Sequence, residues 1–136
     1  MANRPEEMSW YDEQYLRIAS DPLLKGAVFF DAFGNDMPDW YAGIDFVLST
    51  SDFESFHFTI ADGAAAGCSP VCLAWEGADE IYPRDWVYRD VREAVAGIRK
   101  GPADSIEVAK YAREKFDIEE ISKTLLKAVE GIGEFA

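Results

Sequence analysis

Apolar positions along this chain alternate between helical spacing and short continuous runs. In residues 9–19 they fall at Trp10, Tyr11, Leu16 and Ile18, one face of a helix with Ser9 placed as its N-cap. Residues 27–30 form a short apolar run between Lys25-Gly26 and Asp31, which predicts a strand. One or two helical turns are expected over 37–42, then a second strand over 44–49 with Asp45 at its mouth. Residues 58–66 read as a helix that Gly67 stops, since glycine takes the left-handed conformation after a helix most readily. In the third strand, over 70–74, Val71, Cys72, Leu73 and Ala74 are continuously apolar, as in a strand covered on both faces. Ile81 and Tyr82 suggest a short fourth strand.

The last third of the chain has helical spacing throughout. Val87, Val91, Ala94, Val95 and Ile98 form one stripe, and Ile106, Ala109, Ala112 and Phe116 a second. A final helix opens on Asp117 and Glu120, spaced as a capping box, and carries Ile118, Ile121, Leu125, Val129 and Ile132. Strands alternating with helices define an α/β class: a Rossmann-like parallel sheet flanked by helices, in one domain over 1–136. Three or four strands are few for a doubly wound sheet, and no strand precedes the first helix. The expected architecture is therefore a domain truncated at its N-terminus, with a strand or two upstream.

Composition narrows the function classes. A hydrophobic fraction of 49% is that of a packed protein, and no apolar run approaches the roughly 18 residues of a membrane helix. Residues 1–7 are polar and acidic, unlike a secretory signal. Cys68 and Cys72 with a single His give poor support to zinc, so no metal is expected. Reduced, buried thiols fit a cytoplasmic location. A net charge of −13 argues against nucleic acid and anionic membranes as partners. Between Gly26 and Pro83 there is no Lys or Arg but there are ten acids, so an anion bound there must rely on backbone amides or on cations from elsewhere.

The chemistry concentrates between Ser49 and Val71, which reads as strand, tight loop, helix, glycine stop and strand. Ligands of open α/β sheets bind at the carboxyl ends of strands, where the loop over 52–57 falls. The next helix points its free N-terminal amides into the same crevice, an anion site that needs no basic side chain. Glu54 before the helix and Asp62 within it offer carboxylates to one crevice, and carboxylates accept well from paired sugar hydroxyls.

This stretch resembles the group 1 glycosyltransferase signature: Pro-Ser, two residues, Glu-Gly-Phe-Gly, four residues, Glu-Ala-Met-Ala, one residue, Gly, then Pro-Val. Ser51, Glu54 and Phe56 match its first half. Asp62 stands at the second Glu, and Ala65, Gly67, Pro70 and Val71 match the rest with one residue inserted. The resemblance extends from about Tyr11 to the C-terminus. It implies the C-terminal half of a retaining GT-B glycosyltransferase, moving a sugar from a nucleotide-sugar donor to an unknown acceptor (glycan, lipid or small molecule), without metal or cofactor. Carried over, Glu54 contacts the transferred sugar as the catalytic acid, and Asp62 holds the ribose. Ser51 and the backbone of Ser55, Phe56, His57 and Phe58 complete the donor site.

Three departures accompany the match. Asp62 is one methylene shorter than Glu, and His57 replaces the second glycine. The family's diphosphate-neutralising Arg and Lys precede this segment, and its acceptor-binding N-terminal domain is missing here. Activity of this chain alone is therefore not expected, and self-association through an open sheet edge is. The alternative is a non-catalytic nucleotide-binding or protein-interaction module on the same fold. Outside the signature, Trp75, Tyr82 and Trp86 read as core or interface packing before a sugar-stacking platform, and Trp10, Tyr11, Trp40 and Tyr41 as helix anchors. Arg84 reads as a surface residue before a phosphate ligand, and His57 as either a pocket or a solvent-facing loop residue.

Overall fold

A computed structural model describes residues 5–31 and 34–133, with the side chains of 8–31 and 34–131. The chain divides into two compact units, Met1–Asn35 and Asp36–Ala136.

In the first unit, helix α1 spans Pro5–Ser20, starting four residues before the expected cap, so Ser9 lies inside it. Proline suits the first helical position, because its φ is already helical and it has no N–H to leave unpaired. Of the acidic N-terminal stretch, residues 1–4 lie outside the described ones. Trp10 and Tyr11 are exposed and do not anchor this helix. Residues 28–30 are not a strand: the run has no pairing partner among the described residues, and Phe29 and Phe30 stay exposed. A strand without a neighbour leaves its ladder groups unpaired, so the apolar run alone does not make one. Phe30 instead meets Tyr15 edge-on, ring centroids 5.1 Å apart.

The second unit is α/β. Its order is α2 (Met37–Ala42), β1 (Phe46–Ser49), α3 (Phe58–Ala65), β2 (Ser69–Leu73), α4 (Ala78–Ile81), a 3-10 turn (Arg84–Trp86), β3 (Val87–Tyr88), α5 (Val91–Ile98), α6 (Ser105–Lys115) and α7 (Ile118–Gly133). The three strands form a parallel sheet in the order β1-β2-β3, with Phe46 opposite Ser69 and Cys72 opposite Val87. The expected helix over 37–42 and the strands over 44–49 and 70–74 are present within a residue or two. Of α2's two aromatics, Tyr41 is buried and Trp40 is not.

The fourth-strand expectation fails. Gly77, at φ +92°, turns the chain into α4, which ends at Ile81, and the third strand forms six residues later at Val87. Val87 thus belongs to the sheet and not to the helical stripe that follows. Tyr82, 2% exposed, fills the core between these elements together with Trp86.

Pro70 sits in the central strand without breaking it. Ser69 donates its N–H to Asp45 on the β1 side and Ala74 to Tyr88 on the β3 side. Strand period two therefore turns the Pro70 nitrogen toward β3, whose pairing begins only opposite Cys72.

Helix α3 lies on β1 through a bare contact. A Cβ on Gly63 would fall 2.8 Å from the Val47 side chain, so only glycine lets the helix sit this close. Ile60 and Ala64, both fully buried, fill the rest of that face. Gly67 ends α3 as expected, at φ +97°, and a Cβ there would be 3.2 Å from the Ser105 carbonyl oxygen. That close approach brings in α6, whose N-cap Asp104 accepts from the Ile106 and Glu107 amides. The buried face of α6 is Val108 and Ala112, while Ile106 of the expected stripe is exposed. Along α5 only Ala94 is buried. On α7, Asp117 accepts from the Glu119 and Glu120 amides, but the Glu120 carboxylate pairs with Lys123 and not back to the cap. Ile118, Ile121, Leu125 and Val129 are exposed on α7, and the side chain of Ile132 lies outside the described residues. No helix among the described residues is long and apolar enough to cross a membrane.

Candidate functional site

The loop from Ser51 to His57 leaves the carboxyl end of β1 and runs into α3. Inside it, the Ser51 hydroxyl donates to Glu54 Oε1 at 3.0 Å, and His57 Nε2 stands 3.7 Å from the same oxygen. Both Glu54 and His57 are partly buried, with 29% and 22% of their side chains exposed. The first carboxylate of the expected pair thus has the Ser51 hydroxyl and the His57 ring beside it, and the His57 ring is only partly open to solvent.

Two aromatic residues fasten this loop. The Phe56 ring meets Phe58, Phe116 and Tyr82 at centroid distances of 5.0, 5.4 and 6.2 Å. The Tyr82 hydroxyl accepts from the His57 amide at 3.2 Å and donates to the His57 carbonyl at 3.0 Å. Burial pushes the Tyr82 phenol up to about 12, with the His57 backbone contact opposing it. The phenol therefore stays protonated and keeps both bonds at any ordinary pH. Tyr82 is the functional residue that sequence reading missed as such: it appears there as core, which it is, but nothing local signals a hydroxyl reaching back 25 residues to the loop.

The consequence for anion binding is specific. The His57 amide is engaged by Tyr82 and the Ile60 amide by the His57 carbonyl, so the backbone donors left at the start of α3 are those of Phe58 and Thr59, which the N-cap side chain does not reach. Ser55 and Phe58 are exposed at this end of the helix.

Asp62 lies elsewhere on α3. It falls one turn into the helix, exposed, between the buried Ala61 and Gly63. Its charge is felt by Tyr41, whose phenol is raised first by burial and then by Asp62 and Cys68. No described contact joins Asp62 to Glu54 or His57. The two carboxylates share a helix and its approach, and the loop's hydrogen bonds gather only Ser51, Glu54 and His57.

Beneath the loop lies Cys72 of β2, fully buried and opposite Ser49 in the sheet register. Burial raises its thiol, the neighbouring Trp75 and Ser49 side chains oppose that shift, and Glu54 adds to it. Cys68, at the other end of β2, donates to the Tyr41 carbonyl and is raised by burial as well. Both thiols are free, as expected, and neither has the electropositive, open surroundings that activate a cysteine.

The opposite edge of the sheet carries a cavity of about 630 Å³, near the first residues of all three strands. Arg84 and Lys100 line it. Arg84 Nη1 donates to the Val87 carbonyl, which fixes that cation at the amino end of β3, away from the Ser51–His57 loop. Among the described residues no group of three or more metal-ligating side chains comes together. Comparison with protein-family models, with curated proteins and with solved structures finds no match for this chain.

Proposed function

We propose that this chain is the donor-binding half of a retaining glycosyltransferase, taking a nucleotide sugar at the carboxyl end of its parallel sheet. The observation that carries this reading is the Ser51–Glu54–His57 constellation set over the uncapped start of α3. A half-buried carboxylate beside helix amides is what a neutral polyol joined to a diphosphate calls for: the carboxylate accepts from sugar hydroxyls and the amides receive the phosphates.

On this reading Glu54 contacts the sugar as the catalytic acid, and Ser51 and His57 orient it. The first-turn amides at Phe58, with the backbone of Ser55 and Phe56, face the diphosphate. Asp62, on the outer face of α3, takes the ribose. Residues 27–82 hold no Lys or Arg, so cations from outside this segment supply the charge that stabilises the leaving diphosphate. The compartment is the cytoplasm, where nucleotide sugars and reduced thiols coexist.

Titration with UDP, GDP and ADP and their sugar conjugates, following backbone amides from Ser51 to Ala66 by NMR, tests the site. Shifts confined to that loop and helix are the expected result. A hydrogen bond to a charged group contributes roughly 1.5–3 kcal/mol, so Asp62→Ala weakens every nucleotide about tenfold to a hundredfold. Glu54→Ala weakens only the sugar conjugates. If no nucleotide shifts these amides, the donor-site reading is wrong. One observation favours a second reading, a non-catalytic nucleotide-binding or protein-interaction module: the apolar stripe of α7 is exposed along its length. Nucleotide binding that is indifferent to Glu54 supports that module.

A further inference from the structure

The cavity at the amino end of the sheet takes no part in the Ser51–His57 site, and the strand pairing explains why it exists. Strand β3 meets β2 only from Cys72 onward, so the sheet has a gap beside Ser69 and Pro70. The 3-10 turn, the end of α5 and the segment 101–103 surround that gap. These walls are tied down. The Ala103 amide donates to Ser69 Oγ at 2.6 Å, and Arg84 Nη1 donates to the Val87 carbonyl. A Cβ on Gly97 would fall 2.5 Å from the Tyr88 ring, so only glycine lets α5 sit this close to β3. The volume, about 630 Å³, is that of a small-molecule site. Pro70 argues against an added strand as the occupant, because its nitrogen is turned to the gap and has no hydrogen to give.

Charge selects the ligand. Residues 84–100 carry five of the chain's 13 Lys and Arg and only three of its 26 acids, the reverse of the balance elsewhere. Arg84 and Lys100 line the cavity, and neither is in an ion pair among the described residues. Of the two lining carboxylates, Glu93 is already held by Arg89, which gives it the backbone N–H at 2.6 Å and Nε at 3.3 Å. Asp85 is left against two cations. Arg84 has spent one N–H on Val87 and keeps the others for a ligand. Half-buried Phe46 and buried Pro70 give the same cavity an apolar wall.

We propose that this cavity is a second ligand site, taking a small organic anion with its charged group toward Arg84 and Lys100 and its apolar body on Phe46 and Pro70. The site lies at the other end of the strands from the Ser51–His57 loop and does not depend on what that loop binds.

Backbone-amide NMR of the full chain, titrated with phenyl phosphate, benzoate, inorganic phosphate and phenol, tests it. Phenyl phosphate or benzoate should shift the amides of residues 86–88 and 96–103 and leave those of Ser51–Ala66 in place. The tighter of the two identifies the charged group as phosphate or carboxylate. Inorganic phosphate and phenol each hold half of the pattern and should bind at least about tenfold more weakly. Lys100→Gln, at an exposed position, should weaken the better ligand about tenfold, the weight of one hydrogen bond to a charged group. Arg92→Gln removes a cation of α5 that does not line the cavity, and should leave the affinity unchanged. The proposal is overturned if neither organic anion shifts the cavity amides at millimolar concentration, or if phosphate or phenol alone binds as tightly. It is equally overturned if Lys100→Gln has no effect, or if Arg92→Gln weakens binding as much as Lys100→Gln does, which marks diffuse charge attraction and not a site.

Discussion

Replacing Tyr82 with Phe removes one oxygen and leaves the ring. The ring contacts with Phe56, Trp86 and Phe116, at 6.2, 6.3 and 6.0 Å, keep their partners. What goes is the pair of bonds to the His57 amide and carbonyl. Each neutral hydrogen bond is worth about 1 kcal/mol net, and leaving its partner buried and unpaired adds to that, so a loss of about 2–3 kcal/mol is expected at neutral pH. The pH profile makes the reasoning sharper. The phenol is raised from 10.0 to about 12 in the folded chain, chiefly by burial. A raised folded value means the native state holds the proton more tightly than the unfolded one. Stability from this group is therefore complete below pH 10 and is lost as pH rises through 12. Urea unfolding across neutral to alkaline pH should show that decline in the unaltered chain and a flatter limb in Tyr82→Phe. The reasoning is refuted if the variant is as stable as its parent at neutral pH, or if both lose stability in parallel above pH 10.

Other perturbations follow from single contacts. Gly63→Ala places a methyl 2.8 Å from Val47 and should destabilise by about 1–3 kcal/mol; Val47→Ala in the same chain should restore part of that loss, a coupling read by a double-mutant cycle. Asp104→Ala frees the Ile106 and Glu107 amides and should lower stability by about 1 kcal/mol in a urea melt, while Asp104→Ser should recover most of it. Gly67→Ala, at φ +97° with a carbonyl 3.2 Å away, should cost about 1–2 kcal/mol; a melt unchanged from the parent would show that the turn relaxes. Strand β1 pairs only with β2 among the described residues, so a Lys at the exposed Leu48 should reduce any concentration-dependent association seen by sedimentation.

The order of elements in the second unit was legible because each is short-range physics. Continuous apolar residues over 71–74 predict a strand covered on both sides, and β2 lies between β1 and β3, buried over Ser69–Cys72, with α3 and α5 packed against it. Gly67 predicts the end of α3, and its positive φ is the reason. The failures share a cause. Residues 27–30 and the pair Ile81-Tyr82 are apolar enough for strands, yet a strand exists only where another offers its backbone, and that is not written locally. Tyr82 went to the core instead, and Val87, inside a helical stripe by spacing, took a sheet position with Tyr88 because Cys72 and Leu73 lie opposite them. On α6 and α7 the period was read correctly but the depth was not, since spacing tells which residues share a face and not whether anything covers it.

The site divides along the same line. Ser51, Glu54 and His57 sit within seven consecutive residues, so their meeting is fixed by one loop, and a sequence pattern can find them. What holds the loop in place comes from residues far along the chain: Tyr82, whose hydroxyl closes both polar groups of the His57 backbone, and Phe116, whose ring backs Phe56. The same distance hides the surroundings of Cys72, which Ser49 joins only once the β1–β2 pairing has set the two opposite each other. Asp62 shows the converse. Its spacing from Glu54 suggests a shared crevice, but the burial of Ala61 and Gly63 on either side turns its carboxylate outward. On the donor-site reading proposed above, a ligand that uses both acids crosses the start of α3, with its anionic part over the helix amides and a neutral group at each end. A nucleotide sugar has that layout, with ribose and sugar on the two sides of a diphosphate.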